Sequence, residues 1–345
     1  MNSALNAITA KIRAMRGRRI TPEQYRELLT RKSVEEIASY LLANTRYAET
    51  LAGVQVHSVH RGQLEDLIRE QRYLEYAKLR RYTPQGSADF FGFFFTPVEI
   101  EQIMRMIRLL NDGEPELFEL QYPRYIVPYA TIDLTAISRS RSFDGLLDAL
   151  RGTRYAKRLE ECRHAAGSAI DYARCDTALF TQYYDGIHDI IEREYTGSTR
   201  AELNRVFGVA TQLRNMVVLY RVKRYFADTP PDELNRVLLP MRNRTARREL
   251  RSLAESRDAD AFVDEVKRTG LGRRLQNSDF DYIEHSESQI NFELLTRLMY
   301  TSEAAPVCFA AYMLLCAIEA SNLVKVIESA YYGLSADETM KLLVL

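Results

Sequence analysis

Glycine and proline are scarce in this chain, at 15 and 10 of 345 residues. Sandwiches and barrels reverse direction through turns rich in both, so the scarcity disfavours them and predicts long helices with few turns. Cysteine is scarcer still, and Cys162, Cys175, Cys308 and Cys316 form no C-x-x-C pair. A disulfide scaffold of this size would be denser in cysteine. All four are therefore expected as reduced, mostly buried thiols of a cytosolic protein. Neither charge is in excess: Lys+Arg and Asp+Glu both number 47. A nucleic-acid binder usually carries a basic surplus and an acidic solvating tail the reverse, so neither class is expected.

Long apolar runs are also missing. The longest uncharged stretch, Ala304 to Ile318, contains Pro306 and falls short of the roughly 20 residues that a membrane span needs. It reads as a buried core helix, and a protein recoverable without detergent is expected. Residues 1–22 lack the apolar segment of a secretory signal. They do carry Lys11, Arg13, Arg16, Arg18 and Arg19 ahead of Glu23, as a transit peptide would. Leu5, Ile8, Ile12 and Met15 recur at helical spacing, however, so an ordinary first helix is the better reading.

Signatures of catalysis are absent as well. The sequence has no G-x-x-x-x-G-K-[ST], no G-x-G-x-x-G and no G-x-S-x-G, hence no sign of a phosphate cradle or nucleophile elbow. The five histidines form no ligand cluster; His188 and Glu192, four apart, read as a surface helical pair. No catalytic residue, metal, cofactor or small-molecule substrate is expected.

What is present repeats itself. Residues 45–51 read Thr-Arg-Tyr-Ala-Glu-Thr-Leu and residues 153–159 Thr-Arg-Tyr-Ala-Lys-Arg-Leu, with a weaker echo at 269–275, Thr-Gly-Leu-Gly-Arg-Arg-Leu. Each follows a helix with an N-cap signal: Ser33 in a capping box with Glu36, then Ser142, then Asp258. A second motif, Glu/Gln-x-x-Asn/Gln before an apolar stripe, recurs at Glu99 and Gln102, at Gln212 and Asn215, and at Glu319 and Asn322. Both motifs share a period of just over 100 residues. The expected organisation is all-α, with copies at 1–125, 126–235 and 236–345. Sustained period-2 alternation is lacking, so no significant sheet is predicted; Tyr125 to Tyr129 is at most one short extended segment.

On a helix, residues three apart share a face. The paired polar residues of each second motif are expected to satisfy backbone groups of a neighbouring turn, with the turns at Thr45, Thr153 and Thr269 as candidates. That structural role is weighed against one in which the pairs grip a partner. Two other stretches are possible contact surfaces. Phe90, Phe91, Phe93, Phe94 and Phe95 read first as core, since they lead into a motif helix. Arg242, Arg244, Arg247, Arg248 and Arg251 fit either a solvated helix face or a site for an acidic partner or lipid head groups.

The opening Lys11-Ile-Arg-Ala-Met15, Leu28-Leu29, the Ser33 helix, the Thr45-Arg-Tyr-Ala turn and the three-copy motif order resemble the C subunit of archaeal and bacterial V/A-type ATPases, a family that includes the d subunit of the eukaryotic V-ATPase. The similarity covers essentially the whole chain. Gln102 stands where that family usually has Asn, and Gln212 where it usually has Glu. The resemblance implies a funnel-like, pseudo-threefold helical protein without a nucleotide or ion site. It would sit on the cytoplasmic face of the membrane proteolipid ring and hold the central stalk of the soluble head, coupling ATP hydrolysis or synthesis to ion transport. A generic helical scaffold for protein–protein interaction is the rival, although such arrays usually repeat every 34 to 47 residues or so.

Overall fold

A computed structural model of the chain describes residues 2–83, 88–118, 127, 129–163, 168–275 and 279–345. The chain is all-α: 75% of it is helical, and no strand occurs among the described residues. Most of the segment expected to be briefly extended, Tyr125 to Tyr129, lies outside the described residues.

The helices run in chain order as α1 Asn2–Arg16, α2 Pro22–Leu29, α3 Val34–Asn44, α4 Ala48–Leu51, α5 Arg61–Arg80, α6 Ala88–Phe93 and α7 Thr96–Asp112. There follow α8 Leu134–Ser138, α9 Phe143–Ala149, α10 Ala156–Glu160, α11 Tyr172–Glu194 and α12 Gly197–Tyr225. The last are α13 Pro231–Arg236, α14 Arg244–Ala254, α15 Ala259–Val266, α16 Ile283–Thr301, α17 Ala305–Tyr332 and α18 Ala336–Leu342.

Local chemistry explains several starts. Ser33, Ser142 and Asp258 each sit in extended backbone, and their side-chain oxygens accept from the N–H of the residue three along, Glu36, Gly145 and Ala261. That satisfies one of the donors a helix start leaves open. The predicted box at Ser33 differs in one detail. The Glu36 carboxylate accepts from the N–H of Lys32 at 3.0 Å, one residue before the cap, so it fastens the approaching chain instead of the cap itself. A reciprocal box does occur at Thr21, whose hydroxyl and N–H both engage Gln24.

The chain separates into two compact units. One includes Met1–Phe91 and Asp281–Leu345, so it holds both ends of the sequence. Its core joins Tyr25, Leu28, Ile37, Leu41, Leu51, Leu64 and Ile68 to Leu323, Val326 and Ile327 of α17. The other includes Gly92–Tyr122 and Val127–Phe280, built on α7, α11 and α12.

The apolar stretch from Ala304 lies in α17, which is 28 residues long. By length and composition α17 could cross a membrane, with a mean hydropathy of 1.8 over its most apolar window. The helix is longer than the uncharged run because it continues through Glu319 and Lys325. Of that window 72% is buried within the protein, against α5, α16 and α1. The phenylalanine cluster is mostly core. Phe90, Phe91 and Phe95 are buried, Phe91 meets Phe309 edge to face, and Phe93 stacks on Tyr183.

Candidate functional site

The two repeated motifs meet at three places, here called joints. Each joins a motif helix to the threonine turn that follows it in the sequence, with the third helix returning to the first turn. At joint one, α17 supplies Glu319 and Asn322 and the turn is Thr45–Arg46–Tyr47. Glu319 Oε1 accepts from Arg46 at 2.7 Å and from the Tyr47 hydroxyl at 3.1 Å, while Oε2 accepts from Ile20 N–H at 3.1 Å. The Arg46–Glu319 pair is deeply buried, at 6% and 8% side-chain exposure. A second carboxylate, Glu75 of α5, lies 3.5 Å from Arg46 and accepts from Tyr312 and Gln71. Lys78 stands 3.6 Å from it.

Burial works against the Arg46 charge, but Glu319 and its neighbours outweigh that and hold the guanidinium pKa well above its ordinary value. Burial, reinforced by the Glu319 charge, pushes the Tyr47 hydroxyl well up, so it stays a donor.

Joint two repeats the pattern one copy along. Glu99 of α7 accepts from Thr131 N–H and from the Tyr155 hydroxyl, and from the Thr131 hydroxyl at 3.0 Å. Burial, followed by the Glu99 charge, raises the Tyr155 hydroxyl as well. Its arginine takes another course: Arg154 is exposed, 5.0 Å above the Phe93 ring, and 3.5 Å from the Thr96 hydroxyl.

Joint three lacks most of these side chains. The turn reads Thr269–Gly270–Leu271 and the helix offers neutral Gln212. A carboxylate is still present, but it comes from Glu249 of α14, which accepts from Gln212 at 3.0 Å and, weakly, from Gly270 N–H at 3.4 Å. Beside them lies a cavity of about 640 Å³, lined by residues including His188, Glu192, Arg242 and Gln212.

The three threonines do one job. Each hydroxyl donates to a carbonyl of the helix just ended: Leu41 at 2.7 Å, Leu150 at 2.6 Å and Val266 at 2.8 Å. Each also accepts a backbone N–H of the turn, from Tyr47, Tyr155 and Gly272. In the third turn the acceptance shifts one residue along. A Cβ on Gly272 would fall 1.8 Å from the Val266 carbonyl oxygen, so this turn closes only around glycine.

The second motif residues bind elsewhere than the threonine turns. Asn215 brackets Leu239, donating to its carbonyl and accepting its N–H, both at 2.8 Å. Asn322 brackets Val344 in the same way at 2.8 and 3.0 Å. Gln102 is buried, and the segment at the matching spacing after it lies outside the described residues. Sequence reasoning selects the threonines and passes over Arg46, Tyr47 and Tyr155, although the Arg-Tyr pair is identical in two copies. Glu75 and Tyr312 carry no repeat signal. Glu249 carries none either, but it stands out as the lone acid among the arginines of residues 242–251.

Two of those arginines have local partners, while Arg244, Arg248 and Arg251 are exposed. Arg242 reaches Asp189 at 2.7 Å and Asp185 at 3.5 Å, and Arg247 donates to the Met241 carbonyl. His188 and Glu192 are linked through Asn204, which faces His188 Nδ1 at 3.1 Å and donates to Glu192 at 2.8 Å. All four cysteines are buried and none is in a disulfide.

Comparison with known proteins gives consistent results. The family described as ATP synthase (C/AC39) subunit matches residues 8–342. The C subunit of the A-type ATP synthase from Methanosphaera stadtmanae is 24% identical over 216 residues, 62% of this chain and 53% of that protein. The match therefore spans about half of that relative's length. The C subunit of the A-type ATP synthase from Pyrococcus horikoshii is 22% identical over 312 residues, 87% of this chain and 79% of that protein.

Proposed function

The chain belongs to the ATP synthase (C/AC39) subunit family, and from that premise we propose that it is a non-catalytic rotor adaptor of a V/A-type ATPase. In this reading it joins the central stalk of the soluble head to the membrane proteolipid ring, on the cytoplasmic face. Torque then passes between ATP chemistry in the head and ion movement in the membrane sector. The observation that carries the reading is the family match over residues 8–342.

The joints support it from physics. A torque adaptor needs stiffness, and buried polar groups with every partner in place rigidify a core. Glu99, Asn215, Glu319 and Asn322 are buried and turn their polar atoms on this chain's own backbone, tyrosines, Thr131 and Arg46, although Gln102 Oε1 and Arg46 Nε are buried without a hydrogen-bond partner among the described residues. We therefore assign the motif residues, with Thr45, Thr153 and Thr269, to holding the copies 1–125, 126–235 and 236–345 together, and not to gripping the stalk.

The test is reconstitution. Membranes of the source cell stripped of this chain should lose ATP-driven ion uptake while the released head still hydrolyses ATP, and adding the chain back should restore uptake. The chain should also bring stalk and ring proteins with it on purification. Ion uptake that is indifferent to depletion would overturn the reading.

A further inference from the structure

The third joint is incomplete by the standard the other two set. Joints one and two each supply an arginine and a tyrosine from the turn, and at joint one a buried carboxylate neutralises the arginine. Joint three has neutral Gln212 at the motif position, takes its acid from another helix as Glu249 of α14, and has no base in the turn: Gly270 and Leu271 stand at those positions. The cavity of about 640 Å³ lies there, within the usual size range of a binding pocket.

The charges around it are unequally committed. Arg242 is taken up by Asp185 and Asp189. Glu192 is paired with Arg200 at 3.1 Å and accepts from Asn204. Exposed Arg205 also lines the space. His188 faces Asn204, and burial lowers its pKa, so it adds no charge at neutral pH. Among the described residues, Glu249 has only the neutral donors Gln212 and Gly270.

The geometry points to this cavity as a docking pocket for an arginine side chain presented by a partner protein. The incoming guanidinium meets Glu249 and completes in trans the contact that Arg46 makes in cis. Guanidinium and carboxylate match as a fork of charge-assisted hydrogen bonds, and the chain's own Thr-Arg-Tyr-Ala segment shows what sequence fits such a joint. The assignment goes beyond the rotor reading and stands apart from it, because it concerns binding by the isolated chain.

The probe is the capped tetrapeptide acetyl-Thr-Arg-Tyr-Ala-amide, titrated into the full chain by calorimetry. Saturable binding is expected. The same peptide with citrulline for arginine, neutral but of like shape, should bind at least about tenfold more weakly, and Glu249→Gln should weaken the arginine peptide by a similar factor. Gly270→Arg should abolish binding by filling the pocket from within. That substitution is sterically open: Gly270 is not left-handed, and a Cβ there meets only Glu249 Oε1 at 4.0 Å. No binding at millimolar peptide overturns the proposal, as does equal binding of the citrulline peptide or binding that survives Gly270→Arg in a folded variant. Competition by inorganic phosphate at similar concentration would make the pocket an anion site instead and overturn it too.

Discussion

Joints one and three use the same threonine turn against the same kind of helix, yet one encloses an ion pair and the other a cavity. At joint one Arg46 lies among Glu319, Glu75, Tyr47 and Tyr312 with almost no exposure. At joint three an amide stands in place of Glu319 and a glycine in place of Arg46, with a half-buried carboxylate brought in from α14. The turn forms in both, because the threonine hydroxyl and the N-capped helix before it make it locally. The ion pair is thus not what creates the turn. A buried pair is modest evidence for stability by itself, since desolvation offsets much of the attraction, but removing one partner leaves a charge stranded.

The largest expected effect breaks joint one. Arg46→Ala leaves Glu319 and Glu75 buried without their shared cation and should cost about 3–5 kcal/mol of unfolding free energy, read by urea denaturation. Arg154→Ala at joint two removes an exposed arginine and should cost under about 1 kcal/mol. Equal losses from the two would erase the distinction between a buried and an exposed turn arginine.

Next comes the part the joints share. Asn215→Ala would strand the Leu239 N–H and carbonyl in the core, and Asn322→Ala would do the same to Val344. Unpaired buried backbone groups cost about 1–3 kcal/mol each, so the two stranded in each variant should cost at least about 2 kcal/mol together. Similar losses would show that the asparagine clamp is independent of the ion pair. A loss below about 0.5 kcal/mol in either would mean that water replaces the side chain.

A smaller, pH-dependent effect belongs to joint three. Burial lowers the His188 pKa below its ordinary value, and Asn204, Arg242, Asp185 and Glu192 surround it. A depressed folded pKa means that the unfolded chain takes up the proton first. The contribution of His188 is complete above its unfolded pKa of about 6.5 and is lost as pH falls through the folded value. His285 in the other unit is depressed by burial too, so its share of the acid loss is expected to persist. Between pH 7 and pH 5 the melting temperature of His188→Gln should therefore drop less than that of the unmodified chain. An identical drop would place the acid sensitivity elsewhere.

Much of this was legible in the sequence, for physical reasons that also mark its limits. Helical periodicity and scarce turns announced the all-α fold, and Ser33, Ser142 and Asp258 were found because capping is local. The repeated threonines were found because a hydroxyl returning to its own helix needs only sequence neighbours. The partners of Glu319 were hidden: Ile20, Arg46 and Tyr47 lie some 270 to 300 residues away, and no spacing rule reaches that far. Nor did repetition reveal which threonine turn each motif helix meets. Two copies with the same internal order look alike whether a contact is made within a copy or between copies.

The smallest effect is the one that sharpens the comparison most, because it tries to turn joint three into joint one. Gly270→Arg puts a guanidinium beside Glu249, with backbone and space both permissive. Two contributions must be separated. Replacing a glycine outside the left-handed region stabilises by about 0.4–1 kcal/mol through the unfolded chain alone, and Gly270→Ala measures that part. The pair with Glu249 should add about 0.2–1 kcal/mol, since the site is open enough for water to screen it. Glu249→Gln in both backgrounds completes a double-mutant cycle. A positive coupling confined to the arginine variant shows that joint three holds an acid placed to meet a base in the turn. Zero coupling, with both glycine variants equally stabilised, would mean that Glu249 is turned from the turn and fully occupied by Gln212, and that the two joints share a backbone but not an electrostatic plan.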